Sequence, residues 1–133
     1  MKRVALFLPS LFLTCVLFAQ GNSTIRYDNK IVFTKVEIES KFPGGINAWA
    51  SFLQKNLVYP TKALRKRVQG DVVVQFVVDD KGKLSHIEAI SGPELLRSAA
   101  EDVIRKSPEW IPASNKGIKV KSYKKQPIVF RLS

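Results

Sequence analysis

Few side chains in this sequence have the types and spacing that a catalytic or metal site requires. His86 is the only histidine, and no second histidine or cysteine lies near it in the chain. A serine hydrolase would need that histidine as its general base and a Gly-x-Ser-x-Gly turn, which the sequence lacks. We therefore expect a protein that is not an enzyme, with no catalytic residue, no metal site and no cofactor.

Two pairs of adjacent carboxylates, Asp79-Asp80 and Glu101-Asp102, have the chemistry to exchange protons or hold a cation. Each pair has a simpler structural explanation. Aspartates suit the turn of a hairpin, and acidic residues in the first turn of a helix stabilise the positive end of its dipole. Gly44-Gly45 could offer backbone donors to an anion, but the Gly-Lys-Ser/Thr of a phosphate-binding loop does not follow. We expect these residues to form turns and helix ends.

The sequence is strongly basic, with 22 lysines and arginines against 11 acidic residues and a net charge of +11. The densest basic stretches are 62–67 and 116–125, which contain a single aromatic residue, Tyr123. A nucleic-acid platform would need several exposed aromatic side chains for stacking, so we expect no nucleic-acid partner. The residues that we predict to face an anionic surface or protein are Lys62, Arg65, Lys66, Lys119, Lys121 and Lys124.

The N-terminus has the layout of a secretory signal peptide. Lys2 and Arg3 precede an apolar run, Val4–Phe18, which contains Pro9. This run is shorter than the roughly 20 residues that a membrane-spanning helix needs. We expect cleavage after Ala19, which would export the protein and remove its single cysteine.

The rest of the chain is predicted to form a leader and one domain. Residues 20–35 are mostly polar, which predicts a flexible leader, and the loose alternation from Ile31 permits a short strand there. Residues 36–133 carry the apolar periodicities of helices and strands, and their length suits one hydrophobic core.

Three helices are predicted in this domain. Apolar residues recur at three- and four-residue steps across 46–57, which places them on one face of a helix. Pro60 suits the first position of a second, short helix that extends to residue 68. Ser98 and Glu101 have the spacing of a capping box, which predicts that a third helix begins near residue 99.

The strands alternate in the period of two that side chains on a sheet follow. Val72–Val78 is apolar on both faces, which predicts a central strand, and the turn residues Asp79–Gly82 join it to residues 84–91 as an antiparallel hairpin. The chain ends in another strand, in which Gln126, Ile128, Phe130 and Leu132 point one way and Val129 and Arg131 point the other.

Several short motifs follow one another along these elements. They are FPGG (42–45), NLVYP (56–60), QGDVVVQFVVDDKG (69–82), the helix at Ser98, EWIPA (109–113), NKG (115–117) and QPIVFRL (126–132). Together they resemble the C-terminal domain of TonB proteins, and more closely the FPGG-bearing variety found in Bacteroidetes-like bacteria, over about residues 36–132.

This resemblance implies an α+β fold with a three-stranded antiparallel sheet and two main helices packed on one face. It also implies that the domain binds an extended segment, the TonB box of outer-membrane receptors, as an added strand at a sheet edge. The residues that we accordingly assign to peptide binding are Tyr59, Pro60, Ile128, Val129, Phe130, Arg131 and Leu132.

The sequence departs from that of a full energy transducer, because we find neither a long transmembrane anchor nor a proline-rich spacer. We therefore expect a periplasmic module that binds an outer-membrane receptor or another extended peptide, with an anchored inner-membrane protein as a further partner. The same sheet edge would allow a homodimer, although Pro127 could discourage pairing along it. The alternative function is a non-enzymatic envelope scaffold that binds an anionic surface or protein through its basic faces.

Overall fold

The computed structural model describes residues 24–27 and 30–133, so the predicted signal peptide, residues 1–19, lies outside the described residues. The elements in chain order are strands β1 (Thr24–Tyr27) and β2 (Lys30–Phe33), helices α1 (Gly45–Asn56) and α2 (Thr61–Arg65), strands β3 (Gly70–Val78) and β4 (Leu84–Ser91), helix α3 (Glu94–Arg105), and strands β5 (Ala113–Asn115), β6 (Ile118–Val120) and β7 (Ser122–Phe130). Among the described residues, no helix combines the length and the apolar character that crossing a membrane requires.

Strand β3 is the centre of the main sheet. It pairs antiparallel with β4 on one side, which confirms the predicted hairpin, and along all 9 of its residues with β7 on the other. The sheet has five strands, in the order β1-β2-β7-β3-β4, rather than the three that were predicted. The two additional strands are β1 and β2. Strand β2 joins β7 in parallel through one residue pair, Phe33 and Ser122, and so short a pairing produces no apolar pattern from which it could be predicted.

The core lies between the sheet and the two longer helices. Alternate residues of β3 and β7 point into it, including Val74, Phe76 and Ile128, all at 0% exposure. Helix α3 contributes a fully buried stripe, and α1 packs against the same cluster with partly buried side chains such as Phe52. Both main helices therefore pack on one face of the sheet, and the predicted α+β class is confirmed.

The FPGG motif turns the chain into α1 and positions an aromatic cluster. Gly44 has φ = 93°, and a Cβ at this position would lie 2.7 Å from the Cβ of Ala48, so the turn requires glycine. Phe42 then packs edge-on against the rings of Trp49 and Trp110, at centroid distances of 5.1 and 5.7 Å. Each such pair contributes about 0.5–1.5 kcal/mol beyond its buried area, so the motif stabilises the fold.

Helix α3 begins earlier than the capping-box spacing predicted. It begins at Glu94, directly after Gly92-Pro93, so Ser98 and Glu101 lie inside the helix. The Glu101 carboxylate does not reach back to cap the helix but accepts a hydrogen bond from the backbone N–H of Ala89 on β4, at 2.8 Å. The predicted start was wrong because the Gly-Pro turn supplies the helix entry and Glu101 links the helix to the sheet.

The connector between β2 and α1, residues 34–44, is fixed by backbone hydrogen bonds. Ile38 and Ser114 exchange two of them, at 3.1 and 2.9 Å, and Lys41 and Ile111 exchange two more, at 3.0 and 2.8 Å. The connector therefore follows a defined path from the start of β7 to the FPGG turn.

Candidate functional site

The side chains that the sequence analysis considered for catalysis or metal binding either stabilise turns of the fold or lie apart from one another. His86 is exposed on β4 with φ = 53°, and its Nδ1 lies 3.1 Å from the hydroxyl of Ser85. Asp79 closes the hairpin turn, because its Oδ1 accepts hydrogen bonds from the backbone N–H groups of Lys81 and Lys83 at 2.8 and 2.9 Å. In the part of the chain that the structure describes, no three histidine, cysteine, aspartate or glutamate side chains are grouped so as to hold a metal ion. The groups that remain available for binding are those of the sheet backbone.

Successive residues of β7 turn their backbone groups to opposite sides of the strand. On the side away from β3, the carbonyl of Lys121 accepts a hydrogen bond from the Phe33 N–H at 2.9 Å. On the β3 side, the Leu132 N–H donates to Oε1 of Gln69 at 2.7 Å. The backbone N–H and C=O groups of even-numbered residues therefore pair with β3. Those of odd-numbered residues point away from β3, in the plane of the sheet. We call the outward-facing backbone of residues 125–131 the β7 edge.

The position of Pro127 is consistent with this alternation of backbone direction. It lies opposite Val73 in the β3–β7 register, and a proline in a ladder position would lose a hydrogen bond. In an outward position it removes no bond to β3, and its carbonyl, which accepts a hydrogen bond from the Gln126 side-chain amide at 3.4 Å, still belongs to the β7 edge. Val129 keeps both an outward N–H and an outward C=O. Within the described residues, β2 pairs with β7 at Ser122 alone, and no strand pairs with the β7 edge.

The predicted peptide-binding residues on β7 divide by face. Ile128 and Phe130 are buried beneath the helices, so their side chains belong to the core. Val129 points to the opposite face and is 48% exposed. Arg131 lies on that face too, with its guanidinium 3.5 Å from the carboxylate of Asp71. Val129 and Arg131 are therefore the predicted residues whose backbone and side chains face outward.

The other predicted binding residues lie near the end of β7 and support it. Leu132 is half-buried, and its N–H already donates to Gln69. The ring of Tyr59 packs edge-on against Phe130 at a centroid distance of 5.5 Å, and its hydroxyl donates to the carbonyl of Val68. Pro60 precedes α2 and lines a groove of about 350 Å³ against α3. Tyr59 and Pro60 therefore contact the structure behind β7, on its helix face.

A cleft that the sequence analysis did not predict lies beside the β7 edge. We call it the edge cleft; its volume is about 630 Å³, and its lining residues are Thr34, Lys35, Val36, Glu39, Gln75, Tyr123 and Lys125. These residues come from the connector, β3 and β7, three segments that are distant in sequence. Only the alternation of β7, followed back to Tyr123, could have indicated the face that two of them share.

The predicted anion-facing residues form two groups at opposite ends of β7. The α2 group lies near Phe130, because Tyr59, two residues before α2, packs on that ring. The other group begins on β6, just before Ser122. The 9 residues of β7 separate these ends by roughly 26 Å. The α2 group is Lys62, Arg65 and Lys66, and the second group is Lys119, Lys121 and Lys124, whose Nζ lies 3.5 Å from the Glu39 carboxylate.

Comparison with known proteins locates relatives of this domain. A family model described as Gram-negative bacterial TonB protein C-terminal matches residues 55–132. The chain is similar to the NMR solution structure of the Helicobacter pylori TonB-CTD (residues 179–285), with 21% sequence identity and a TM-score of 0.49 over 68% of this chain and 87% of that chain. No curated protein matches the chain. The matched residues of the family model run from the end of α1 through β7, so they include the β7 edge.

Proposed function

The chain belongs to the TonB C-terminal family, and from this premise we propose that it is a periplasmic module that binds an extended segment of an outer-membrane receptor as an added strand on the β7 edge. The observation that carries the proposal is the outward N–H and C=O of Val129 on a strand whose β3 ladder is regular. Main-chain pairing would supply affinity, and side chains at alternate positions would supply selectivity.

The location and the chemistry of this role are consistent with the rest of the chain. Residues 1–19 are the predicted signal peptide, and its cleavage would release the domain into the periplasm, where the receptor segment is accessible. Strand addition needs a sheet edge and no catalytic residue, so the proposed role is binding and not catalysis. An anchored inner-membrane partner would supply any link to that membrane.

The alternative, a scaffold that holds an anionic surface, has less support. Such a scaffold would gather its basic residues into one patch, whereas the two basic groups lie at opposite ends of β7, roughly 26 Å apart. Charges in this arrangement flank the β7 edge. Their expected effect is to accelerate the approach of a partner, because peripheral charges change association rates more than final affinity.

A proline substitution at Val129 tests the proposal. Val129→Pro removes an outward donor that β3 does not use, and Pro127 demonstrates that this strand accommodates the ring. We expect binding of a synthetic peptide, copied from the N-terminal segment of an outer-membrane receptor of the same organism, to weaken at least about tenfold. Fluorescence anisotropy of the labelled peptide measures this change.

The matched control is Val129→Ala, which shortens the same side chain and keeps the N–H. It should bind the peptide within about threefold of the unmodified protein, because the backbone carries most of the proposed contact. Circular dichroism establishes that both variants are folded. Equal affinities for the proline and alanine variants would contradict strand addition at this edge.

A further inference from the structure

We propose that the edge cleft is a subsite that selects an acidic side chain in the bound strand, an inference that rests on the proposed function. Lys125 is part of both the edge cleft and the β7 edge. Its side chain lines the edge cleft beside Gln75, its partner in the β3–β7 register, while its odd-numbered position turns its backbone toward the β7 edge. A strand that pairs along this edge would therefore pass the mouth of the edge cleft.

A strand that is paired with Val129 needs little additional length to reach the edge cleft. Val129 and Lys125 are four residues apart on β7, which corresponds to roughly 13 Å at the rise of an extended chain. A bound strand that is centred on Val129 needs only four further residues toward Ser122 to reach the edge cleft. The side chain at that end of the strand is the one that we expect the cleft to select.

The edge cleft has an excess of positive charge. Lys35 and Lys125 are both exposed, and neither forms an ion pair with another described residue. Glu39 is the one carboxylate in the lining, and Nζ of Lys124 lies 3.5 Å from it, so an opposite charge already accompanies it. A ligand carboxylate would therefore meet two lysines whose charge no other described side chain balances.

The remaining lining favours a carboxylate over an apolar group. Thr34, Gln75 and Tyr123 are polar residues of the lining, and Val36 is the single aliphatic residue among the seven. A volume of about 630 Å³ holds an aspartate or glutamate side chain together with bridging water. A lysine in the same place would face two like charges, which makes its binding unfavourable.

Three peptides that differ at one position test the subsite. The receptor-derived peptide is synthesised with glutamate, glutamine or lysine four residues from the position that pairs with Val129, on the side toward Ser122. We expect the unmodified protein to bind the glutamate peptide about tenfold more tightly than the lysine peptide, with glutamine between them. Isothermal titration calorimetry measures the three affinities.

Charge reversal at the edge cleft should change this order. Lys125→Glu should reverse the preference for glutamate over lysine, and Lys35→Glu should reduce it. Lys106→Glu, an equal charge change at an exposed residue that follows α3, should leave the preference intact. A preference that survives Lys125→Glu and Lys35→Glu unchanged would overturn the subsite.

The outcomes separate the two proposals. If the three peptides bind equally well and binding still requires the Val129 N–H, the acidic subsite is refuted and strand addition stands. If none of the three peptides binds, both proposals are refuted.

Discussion

The two strands that flank β3 have unlike outer edges. The register between β4 and β3 shifts twice, and His86 on β4 has a positive φ. The Ala89 N–H of β4 is bonded to the Glu101 carboxylate of α3. Strand β7 pairs with β3 without a shift, and Pro127 is its one missing donor. Bulges and occupied donors discourage strand addition, so the sheet protects β4 and leaves β7 able to accept a strand.

The two halves of β7 also differ, because one has a neighbouring strand on its outer side and the other does not. Its start already has a parallel neighbour, since Phe33 of β2 donates to the carbonyl of Lys121. Its C-terminal half meets no strand among the described residues. The chain thus adds its own strand to one end of β7, and the same backbone geometry continues into the β7 edge.

The largest expected effect separates the inner face of β7 from its outer edge. Phe130 is 1% exposed and packs on Tyr59, so Phe130→Ala should lower the free energy of unfolding by about 3–5 kcal/mol. Val129→Ala, one residue away on the outer face, should change it by less than about 0.5 kcal/mol. Urea denaturation of the two variants measures both values. Similar losses would mean that the faces of β7 are assigned wrongly.

A smaller effect tests the protection of β4. Glu101→Ala leaves the Ala89 N–H without its acceptor, which should cost about 1–3 kcal/mol of unfolding free energy. Glu101→Gln keeps a carbonyl acceptor and should cost less. Urea denaturation measures both variants, and peptide binding at the β7 edge should stay unchanged.

The control for Glu101 addresses its second contact, with Arg105 at 3.5 Å. Arg105→Ala removes this partly exposed ion pair together with the shorter contact of Arg105 to Asp102 at 2.8 Å, and each pair should contribute no more than about 1 kcal/mol. Asp102→Ala removes the second contact alone. If Arg105→Ala costs more than Asp102→Ala by as much as Glu101→Ala costs, the Glu101 ion pair accounts for the effect and the hydrogen bond to β4 does not.

The sequence predicted those parts of the fold that depend on local burial. The alternation of Val72–Val78 identified the central strand, and that of residues 126–132 placed Ile128 and Phe130 on one side of the last strand, which is the side that the structure buries beneath the helices. Both patterns record which side chains are buried. Periodicity therefore suffices to predict the hairpin and the inner face of β7.

Other features depend on backbone direction and on distant segments, which burial patterns do not record. The outward position of Pro127 follows from hydrogen bonds at Lys121 and Leu132, so the sequence left its effect on pairing open. The pairing of β2 depends on a single bridge at Ser122. The edge cleft needs the connector, β3 and β7 together, and the entry into α3 was missed because Glu101 bonds to the sheet.

The most direct test of strand addition is an NMR titration of the ¹⁵N-labelled domain with the receptor-derived peptide. Chemical-shift changes should concentrate on the amides of residues 125–131, with Val129 the most affected, and those of β4 should stay nearly constant. A peptide with N-methylated backbone nitrogens should produce far smaller shifts at the same concentration, because it lacks the donors that pairing requires. No change at 125–131 with millimolar peptide, where even an interaction of about 4 kcal/mol is visible, would contradict the β7 edge as the binding site.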